Sequence, residues 1–492
     1  MTFEEFKEFA ASYNVIPISK RTLADMLTPV SAYLRLREGS ASSFLFESVE
    51  GGELVARYSF IGRDPIAILK CRNGITTIQE FRQPGPTPVA RDSSENFFDI
   101  VDNFVGRYRQ PHLPSLPRFR GGLVGFIGYD AVRFIEKIPS TVTNEAGLDD
   151  SILCLFTSII VFDHHRHEIV TIVNVLVDGQ TGLRGLYERA QEEIRRLESL
   201  LQKTPRIQKF HAHTGRLVEE TGRDGFVSVV KKAKQYITDG DIFQVVLSRR
   251  FTTPIEGDAF NAYRALRVIN PSPYLYYLDY NGFKVIGSSP EILVRMENGT
   301  AEVYPIAGTR RRGNTEAEDA GLERELLADE KERAEHIMLV DLGRNDLGRV
   351  CEIGTVKVDQ LMTVVRYSHV MHLASRVTGV VMPGKSCVDV LKAAFPAGTV
   401  SGAPKIRAME IIDELETTRR AIYAGGVGYF DFSGNMDMCI AIRTMFALNG
   451  RMYLQAGAGI VADSNPVAEF EETTNKARAL VEALRMAEEM AA

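Results

Sequence analysis

The sequence has 492 residues, 45% of them hydrophobic and 25% charged, which is the composition of a soluble globular protein with room for more than one core. Its formal net charge of -6 and its lack of lysine and arginine clusters argue against a nucleic-acid partner, and no run of about 18 apolar residues predicts a membrane span. The acidic start and the five scattered cysteines, none in a Gly-x-Cys-x-Gly segment, predict a cytoplasmic protein without a cysteine nucleophile.

In the N-terminal part of the chain, apolar strands alternate with a few helices. Residues 153–162 and 168–177 are strand-like runs on either side of a polar turn, which predicts a hairpin. An amphipathic helix is predicted for residues 183–202. The polar stretch 203–222 that follows is the best candidate for a linker.

This linker divides the chain into two expected domains, residues 1–205 and residues 223–492. Beyond it, short strand patterns follow one another too closely for a doubly wound parallel sheet. Strands are predicted at 283–286, 292–296, 302–306, 370–381, 423–430, 439–448 and 451–456, and helices at 315–348, at 403–415 and from about 466 to the end. These patterns predict an α+β fold in which helices cover antiparallel sheets.

Carboxylates in the predicted helix 315–348 suggest a metal site. Glu332 and Glu335 share a face of a helix that then becomes strongly apolar, and a desolvated carboxylate there requires a positive partner. A second acidic helix start contains Glu472, which would approach the same place from elsewhere in the chain. Acids that converge from distant segments commonly form magnesium sites, although a solvated charged helix would explain Glu332 and Glu335 equally well by spacing alone.

Glycine-rich clusters at predicted strand ends indicate a small ligand. They lie at residues 305–310, 398–405, 425–429 and 455–460. Glycine at a strand end lets the backbone approach a ligand closely, whereas one such cluster alone would be an ordinary turn. Arg443 stands inside the apolar run 439–445 and needs an acidic partner, which an anionic ligand would supply.

Two other motifs have simpler explanations. The segment 379–386 fits the pattern of a phosphate-binding loop, but Pro383 removes one of the backbone donors that such a loop needs. The histidines at 164, 165 and 167 are too close together on a turn to bind one zinc ion.

Taken together, these segments resemble the chorismate-utilising enzymes, and most closely the large, aminating subunit of anthranilate synthase (component I). The resemblance covers nearly the whole chain, and residues 224–480 carry its most specific motifs. These motifs are residues 240–248, Ser289-Pro290-Glu291, 305–309, 332–346, 368–372, 399–405 and 471–476, with residues 44–53 and 57–59 in the N-terminal part. The implied fold is the antiparallel sandwich of that family, with residues 1–205 contributing a tryptophan feedback site and residues 223–492 binding chorismate.

Two positions indicate which reaction the resemblance implies. Isochorismate-forming relatives carry a lysine base where this chain has Gln244, and an amide cannot deprotonate water. Para-aminating relatives carry a nucleophilic lysine in place of Ala307. Both residues favour ortho amination by neutral ammonia, giving anthranilate and pyruvate. An aminodeoxyisochorismate synthase that stops before pyruvate leaves, a phosphate-loop nucleotide-binding protein and a catalytically silent amino-acid sensor remain alternatives.

The resemblance also implies roles for individual residues in catalysis. Glu335 and Glu472 would hold Mg²⁺, with Glu332 as an additional or alternative ligand. Glu291 would be the general acid for loss of the C4 hydroxyl, with a pKa raised by other carboxylates. Thr399 would neighbour that hydroxyl, and His372, or else His369, would serve the elimination of pyruvate.

The remaining implied residues bind ligands. The substrate-binding set is Gly308, Thr309, Tyr423, Arg443, Gly457, Ala458, Gly459 and Lys476. The tryptophan-binding set is Glu47, Ser48, Pro273, Tyr274 and Leu275, with Glu47 and Ser48 meeting the ligand's ammonium. Many relatives have methionine at the position of Leu275, a swap that nearly conserves volume. Because the chain lacks a cysteine nucleophile, a separate glutamine amidotransferase subunit is expected to supply ammonia.

Overall fold

The fold is taken from a computed structural model, which describes residues 1–48, 57–81, 89–142, 147–179, 181–366 and 370–491. The helices are α1 (Phe3–Ala10), α2 (Pro29–Leu36), α3 (Phe97–Val105), α4 (Leu183–Leu201), α5 (Arg223–Thr238), α6 (Phe260–Ile269), α7 (Glu316–Ala328), α8 (Glu330–Gly348), α9 (Cys387–Ala394), α10 (Lys405–Leu415) and α11 (Pro466–Ala491). None of the described helices is both long enough and apolar enough to cross a membrane.

The strands of the N-terminal half are β1 (Val15–Leu23), β2 (Ser43–Glu47), β3 (Tyr58–Arg63), β4 (Ala67–Arg72), β5 (Ile75–Glu80), β6 (Val89–Ser93), β7 (Gly122–Ile127), β8 (Ser151–Phe156), β9 (Ser158–Asp163), β10 (Glu168–Leu176), β11 (Phe210–Ala212) and β12 (Val218–Glu219). Those of the C-terminal half are β13 (Gln244–Gly257), β14 (Tyr274–Asp279), β15 (Phe283–Ser289), β16 (Ile292–Glu297), β17 (Thr300–Val303), β18 (Ile306–Arg311), β19 (Lys357–Arg366), β20 (Val370–Val380), β21 (Gly402–Ala403), β22 (Gly426–Asp431), β23 (Met436–Ile440), β24 (Thr444–Leu448) and β25 (Arg451–Ile460).

Two large antiparallel sheets form the framework, which confirms the predicted α+β class. The 13-stranded sheet has the order β1-β10-β9-β3-β2-β14-β15-β24-β25-β13-β11, with β12 and β21 also paired to β13. The 12-stranded sheet has the order β18-β20-β17-β16-β23-β22-β7-β8-β4-β5-β6, with β19 paired to β20. A core rich in aromatic residues, including Phe44, Phe60, Tyr276 and Tyr429, lies between strands of the two sheets.

Both sheets contain strands from each half of the chain. Strand β2 pairs with β14, placing Glu47 opposite Leu275, and β7 pairs with β22. The stretch predicted as a linker contains β11 and β12, which pair with the long β13. The division into domains 1–205 and 223–492 therefore stays a prediction about the chain, because its two parts share both sheets.

Three predicted strand runs turn out to be divided. The run 153–162 is β8 followed by β9, which belong to different sheets, and β9 forms the predicted hairpin with β10. The run 302–306 covers the end of β17 and the start of β18. The run 439–448 is broken by Arg443, whose φ of 51° lies in the left-handed region. A continuous apolar pattern does not show where a strand leaves one sheet, since both environments are buried.

Candidate functional site

The candidate cleft lies where β13 begins, beside α8, β25 and α11. Gln244, the first residue of β13, is 5% exposed, and its Nε2 donates to Oε1 of Glu335 on α8 at 3.3 Å. Its Oε1 is buried and has no hydrogen-bond partner among the described residues. A buried polar atom without a partner is costly, so this amide oxygen is available to a donor on a ligand.

Two glycines of β25 are required by close approach in this cleft. A Cβ on Gly459 would lie 2.8 Å from Nε2 of Gln244, and a Cβ on Gly457 would lie 2.5 Å from the hydroxyl oxygen of Tyr423. Ala458 between them is fully buried and pairs with Leu247 of β13. Glycine at these two positions therefore leaves room for the side chains of Gln244 and Tyr423, which line the cleft.

Carboxylates from α8 and α11 meet at the same place. Burial raises the pKa of Glu335, and the nearby carboxylates of Glu332 and Glu472 raise it further. Nζ of Lys476 lies 2.6 Å from Oε1 of Glu472 and donates to the carbonyl oxygen of Gly457 at 3.1 Å. The structure thus brings together Gln244, Glu335, Glu472 and Lys476, which are far apart in the sequence.

Glu332 has a different partner. Its Oε1 accepts from Arg310 at 3.3 Å, and Arg310 also binds Asp329 at 2.7 Å and Glu325 at 2.9 Å. A Cβ on Gly308 would lie 3.1 Å from Oε2 of Glu332, so this glycine lets β18 pass close to α8.

The carboxylates fit an incomplete magnesium site better than a complete one. No group of three or more histidine, cysteine, aspartate and glutamate side chains in the described part of the chain is arranged to hold a metal ion. Magnesium is commonly bound by one or two carboxylates, with water and substrate oxygens as its other ligands. Glu335 and Glu472 match that pattern, because the charge of Glu472 raises the pKa of Glu335 and a bound cation would relieve this repulsion.

Arg443 faces the cleft from the turn between β23 and β24. Its Nη1 donates to the carbonyl oxygen of Lys476 at 3.3 Å, and no described carboxylate lies within the 4.0 Å of an ion pair. Burial lowers its pKa, and Tyr423 and Glu472 offset only part of that effect. A buried guanidinium without an ion-pair partner among the described residues favours an anionic ligand.

Glu291, the residue before β16, is a buried acid beside Thr399, whose turn 398–400 contacts β13 and β25. It is 8% exposed, and burial raises the pKa of its carboxyl to about 8, with Thr399 opposing part of the rise. Oγ1 of Thr399 has no hydrogen-bond partner within 3.5 Å among the described residues. The raised pKa suits a general acid, but its cause is burial, and the expectation that neighbouring carboxylates produce it is wrong.

His372 lies on β20 beside β18. Its Nδ1 is 3.0 Å from the carbonyl oxygen of Gly308 and 3.0 Å from Oγ1 of Thr309. A carbonyl only accepts, so Nδ1 carries the proton in the neutral ring and Nε2 is the basic nitrogen. Burial is the main cause of a lowered pKa, which keeps the ring neutral. His369, the other candidate, lies outside the described residues.

The five residues predicted to bind tryptophan line one pocket between the two sheets. Glu47, Ser48, Pro273, Tyr274 and Leu275 all contribute to its wall, which borders about 490 Å³ of free space, open solvent included. Their common location follows from the pairing of β2 with β14.

Glu47 is already engaged on the side of α6. Its Oε2 accepts from the hydroxyl of Tyr263 at 2.5 Å and lies 3.1 Å from Nε of Arg267. Its role toward a ligand ammonium therefore stays a prediction. The sequence did not predict this pairing. Tyr263 and Arg267 share one face of α6, but nothing in the local pattern of that helix indicates that the face meets Glu47, more than 200 residues away.

Sequence reasoning also missed Asp437, which lines the same pocket. Its carboxylate accepts from the hydroxyl of Tyr274 at 3.0 Å and forms ion pairs with Arg118 at 3.3 Å and Arg295 at 3.1 Å. An acid inside the apolar run of β23 was the available signal, since a buried carboxylate requires such partners.

The motif at 379–386 is a plain connection from strand to helix. Strand β20 ends at Val380, and Ser386 caps α9 by accepting from the backbone of Asp389 at 3.2 Å. Lys385 lies 3.9 Å from the same aspartate. Both side chains that would bind phosphate are thus used locally. His164, His165 and His167 are exposed on the turn between β9 and β10, as expected.

Comparisons with known proteins agree with this geometry. The model of a family described as chorismate binding enzyme matches residues 42–482. The chain is 47% identical over 497 residues to anthranilate synthase component 1 of Acetivibrio thermocellus, covering 99% of both chains. Its fold matches the crystal structure of anthranilate synthase component I from Streptococcus pneumoniae with a TM-score of 0.74 and 38% identity, over 94% of this chain and 99% of that one. The menaquinone-specific isochorismate synthase of Escherichia coli, at 19% identity and a TM-score of 0.72 over 98% of each chain, shares the fold.

Proposed function

This chain belongs to the chorismate binding enzyme family, and from that premise we propose that it converts chorismate and ammonia to anthranilate and pyruvate. One observation carries the proposal: Arg443, which has no carboxylate partner among the described residues, shares a cleft with the carboxylates of Glu335 and Glu472. A dicarboxylate such as chorismate would place one carboxylate on the arginine and the other, through a divalent cation, on the acids.

Glu335 and Glu472 would hold the cation. Bound Mg²⁺ would neutralise a substrate carboxylate and stabilise negative charge on the ring as it reacts. Gln244 orients Glu335 through its 3.3 Å hydrogen bond, and Lys476 restrains Glu472. Glu332 is held by Arg310 and would act on Glu335 through its charge.

Arg443 and Tyr423 would orient the enolpyruvyl carboxylate above β25. Gly457 and Gly459 leave the space for this group, and Lys476 adds positive charge at the carbonyl of Gly457. Gln244 cannot deprotonate water, so the cleft favours ammonia, which is already nucleophilic, over hydration of the ring.

Glu291 would protonate the departing C4 hydroxyl, beside Thr399. Because the pKa of its carboxyl is about 8, most of it carries a proton at neutral pH. His372 would then accept the ring proton on Nε2 as the bond between the ring and the enolpyruvyl oxygen breaks. The departing enolpyruvate would take up a proton at its methylene carbon to become pyruvate, and the ring becomes aromatic. Its Nδ1 bond to Gly308 fixes the tautomer that this step requires, and Thr309 and Gly308 border the ring.

We also propose a separate glutamine amidotransferase subunit as the source of ammonia. All five cysteines are buried, and burial raises the pKa of thiols such as Cys154 to about 12. A thiol in that state is a poor nucleophile. The purified chain with chorismate and Mg²⁺ is expected to release fluorescent anthranilate with ammonium but not with glutamine. Turnover with glutamine and no partner would contradict this division of labour.

Feedback inhibition by tryptophan completes the proposal. The pocket formed by Ser48, Pro273, Tyr274 and Leu275 has mostly apolar and aromatic walls, of the kind against which an indole packs. Tyr274 of this pocket pairs with Ser289 at the end of β15, and Oγ of Ser289 accepts from the backbone N–H of Glu291. A ligand in the pocket could therefore shift Glu291. Titration of anthranilate formation with tryptophan tests this, and activity that is insensitive to millimolar tryptophan would refute it.

A further inference from the structure

A second pocket lies behind Glu291. It lies between α8 and the segment that follows α9, is partly open to solvent, and is lined by both Glu291 and Thr399. Gln244, Glu335, Arg443 and Lys476 do not. Thr399 belongs to the turn 398–400, which also contacts β13 and β25 of the cleft, so Glu291 and Thr399 join this rear pocket to the cleft.

One face of α8 connects the two spaces. Glu335, Leu339, Leu342 and Asp346 follow at intervals of four, three and four residues, so they share a face of the helix. Glu335 belongs to the cleft, and Leu339, Leu342 and Asp346 line the rear pocket. Asp346 lies about three turns beyond Glu335.

Asp346 is a buried carboxylate that forms an ion pair with Lys405. It is 8% exposed, and its Oδ2 accepts from Nζ of Lys405 at 2.8 Å. Burial raises its pKa, and the pairing with Lys405 opposes only part of that rise. Two carboxyl groups whose pKa values are both raised, Glu291 and Asp346, thus line one pocket that has room for water, which occupies about 30 Å³ per molecule in the liquid.

The proposed reaction leaves a proton to be replaced at Glu291. As the C4–O bond breaks, Glu291 gives its proton to the leaving oxygen, which departs as water. The attacking ammonia forms the C–N bond, and the resulting ammonium gives one proton to solvent water, so the reaction consumes no net proton. The buried Glu291 is nevertheless left as a carboxylate and must take a proton from solvent before the next turnover.

We propose that the rear pocket returns this proton to Glu291 and receives the water formed from the leaving hydroxyl, with Asp346 orienting the water chain. The inference rests on the proposed function. Asp346 acts through Glu291 and does not touch the substrate. Lys405 holds its carboxylate in place, which explains why an ion pair is buried at the end of an otherwise largely apolar wall.

The test measures ammonium-dependent anthranilate formation in water and in D₂O. Asp346→Asn is expected to lower kcat about 10-fold, a fraction of the roughly 10²- to 10⁴-fold that general acid catalysis supplies. The KM for chorismate should stay unchanged and the solvent isotope effect on kcat should rise, because proton return then limits turnover. Asp346→Ala leaves room for a small acid, and formate is expected to restore its kcat.

Two further variants keep the test sharp. Leu342→Phe fills the pocket and should reproduce the loss of kcat, whereas Ile337→Phe, on an exposed position of the same helix, should not. The double variant Asp346→Asn/Lys405→Met removes the unpaired lysine. If it regains normal kcat, the single variant suffered only from that buried charge and the proposal is overturned.

Other results also overturn it. Unchanged kcat and isotope effect in Asp346→Asn would remove the pocket from proton return, and a rise confined to the KM for ammonium would assign it to ammonia entry. A wild-type chain that forms no anthranilate overturns both this inference and the proposed function. Normal wild-type turnover with unaffected variants overturns the inference alone.

Discussion

The cleft around Gln244 and the pocket around Tyr274 both contain charged side chains, but they differ in whether a buried arginine has an ion-pair partner. In the cleft, burial lowers the pKa of Arg443, which has no ion-pair partner among the described residues. In the pocket, burial also acts on Arg118, but Tyr429, Asp437 and Tyr274 outweigh it and its pKa is raised.

This difference indicates the ligand charge that each site favours. A buried charge without a counter-ion costs free energy that an oppositely charged ligand relieves, so the cleft favours a dianion held on a cation. A charge already paired in the protein offers little to a second ion. The pocket therefore selects by shape and aromatic contact, which suits a feedback ligand of no net charge.

The largest effect is expected from breaking the acidic side of the cleft. Glu335→Gln keeps the shape but removes one of the two proposed cation ligands, and several kcal/mol of transition-state stabilisation corresponds to a loss of about 10⁴-fold in kcat/KM. Anthranilate fluorescence with ammonium as donor measures it. Glu330→Gln on the exposed first turn of the same helix is the control. Near-normal turnover in Glu335→Gln would remove Glu335 from the site.

Removing the buried acid should have the next largest effect. Glu291→Gln is expected to lower kcat about 10³-fold, within the roughly 10²- to 10⁴-fold range of general acid catalysis. Because Glu291 acts when protonated and its pKa is about 8, wild-type kcat should fall as the pH rises through about 8. Glu297→Gln, at the exposed end of β16, should behave as wild type. A flat profile to pH 9 would exclude Glu291 as the acid.

His372→Gln should separate the two halves of the reaction. Without a base at Nε2, amination continues while elimination slows by about 10²-fold, so aminodeoxyisochorismate should accumulate. Chromatography of the products detects it, and His165→Gln on the exposed turn is the control. Equal losses of both products would show that His372 supports the fold of the cleft and not the second step.

Substitutions in the pocket around Tyr274 should change the inhibition by tryptophan and leave the turnover rate unchanged. Ser48→Leu fills space in its wall and is expected to raise the half-inhibiting tryptophan concentration at least about 10-fold, equivalent to about 1.4 kcal/mol. The kcat without tryptophan should not change. Ser115→Leu, at an exposed position, serves as the matched control. Unaltered inhibition would place the tryptophan site elsewhere.

The smallest effect is expected from Leu275→Met. The swap nearly conserves volume in a residue that is 1% exposed, and such swaps usually cost less than about 1.5 kcal/mol. The tryptophan concentration that gives half-inhibition should therefore change only a few-fold in the same titration. A complete loss of inhibition would mean that this wall position determines ligand orientation.

Much of the fold and the membership of the cleft could be predicted from the sequence. Local patterns predicted the helix at 183–202 and the hairpin after β9, because turns and amphipathic faces depend on neighbouring residues. The glycine clusters indicated close backbone approach, and Gly457 and Gly459 indeed leave no room for a Cβ.

Other features could not be predicted in this way. Arg443 was assigned to a strand but occupies a left-handed turn, because its conformation depends on the join between two strands of different sheets. The cause of the raised pKa of Glu291 was also missed, since burial is a property of the packed molecule. The pairing of Glu47 with Arg267 required β2 to lie against α6.

The sequence by itself determined four helical regions, at 183–202, 315–348, 403–415 and from about 466, together with the antiparallel class and residue types that can bind a cation and a dicarboxylate and supply a general acid, because these depend on local spacing and chemistry. Only the tertiary structure decided which charges are paired. The ion pair of Asp437 with Arg118, and the lack of an ion pair at Arg443 among the described residues, depend on distances between segments that only the closed sheets bring together.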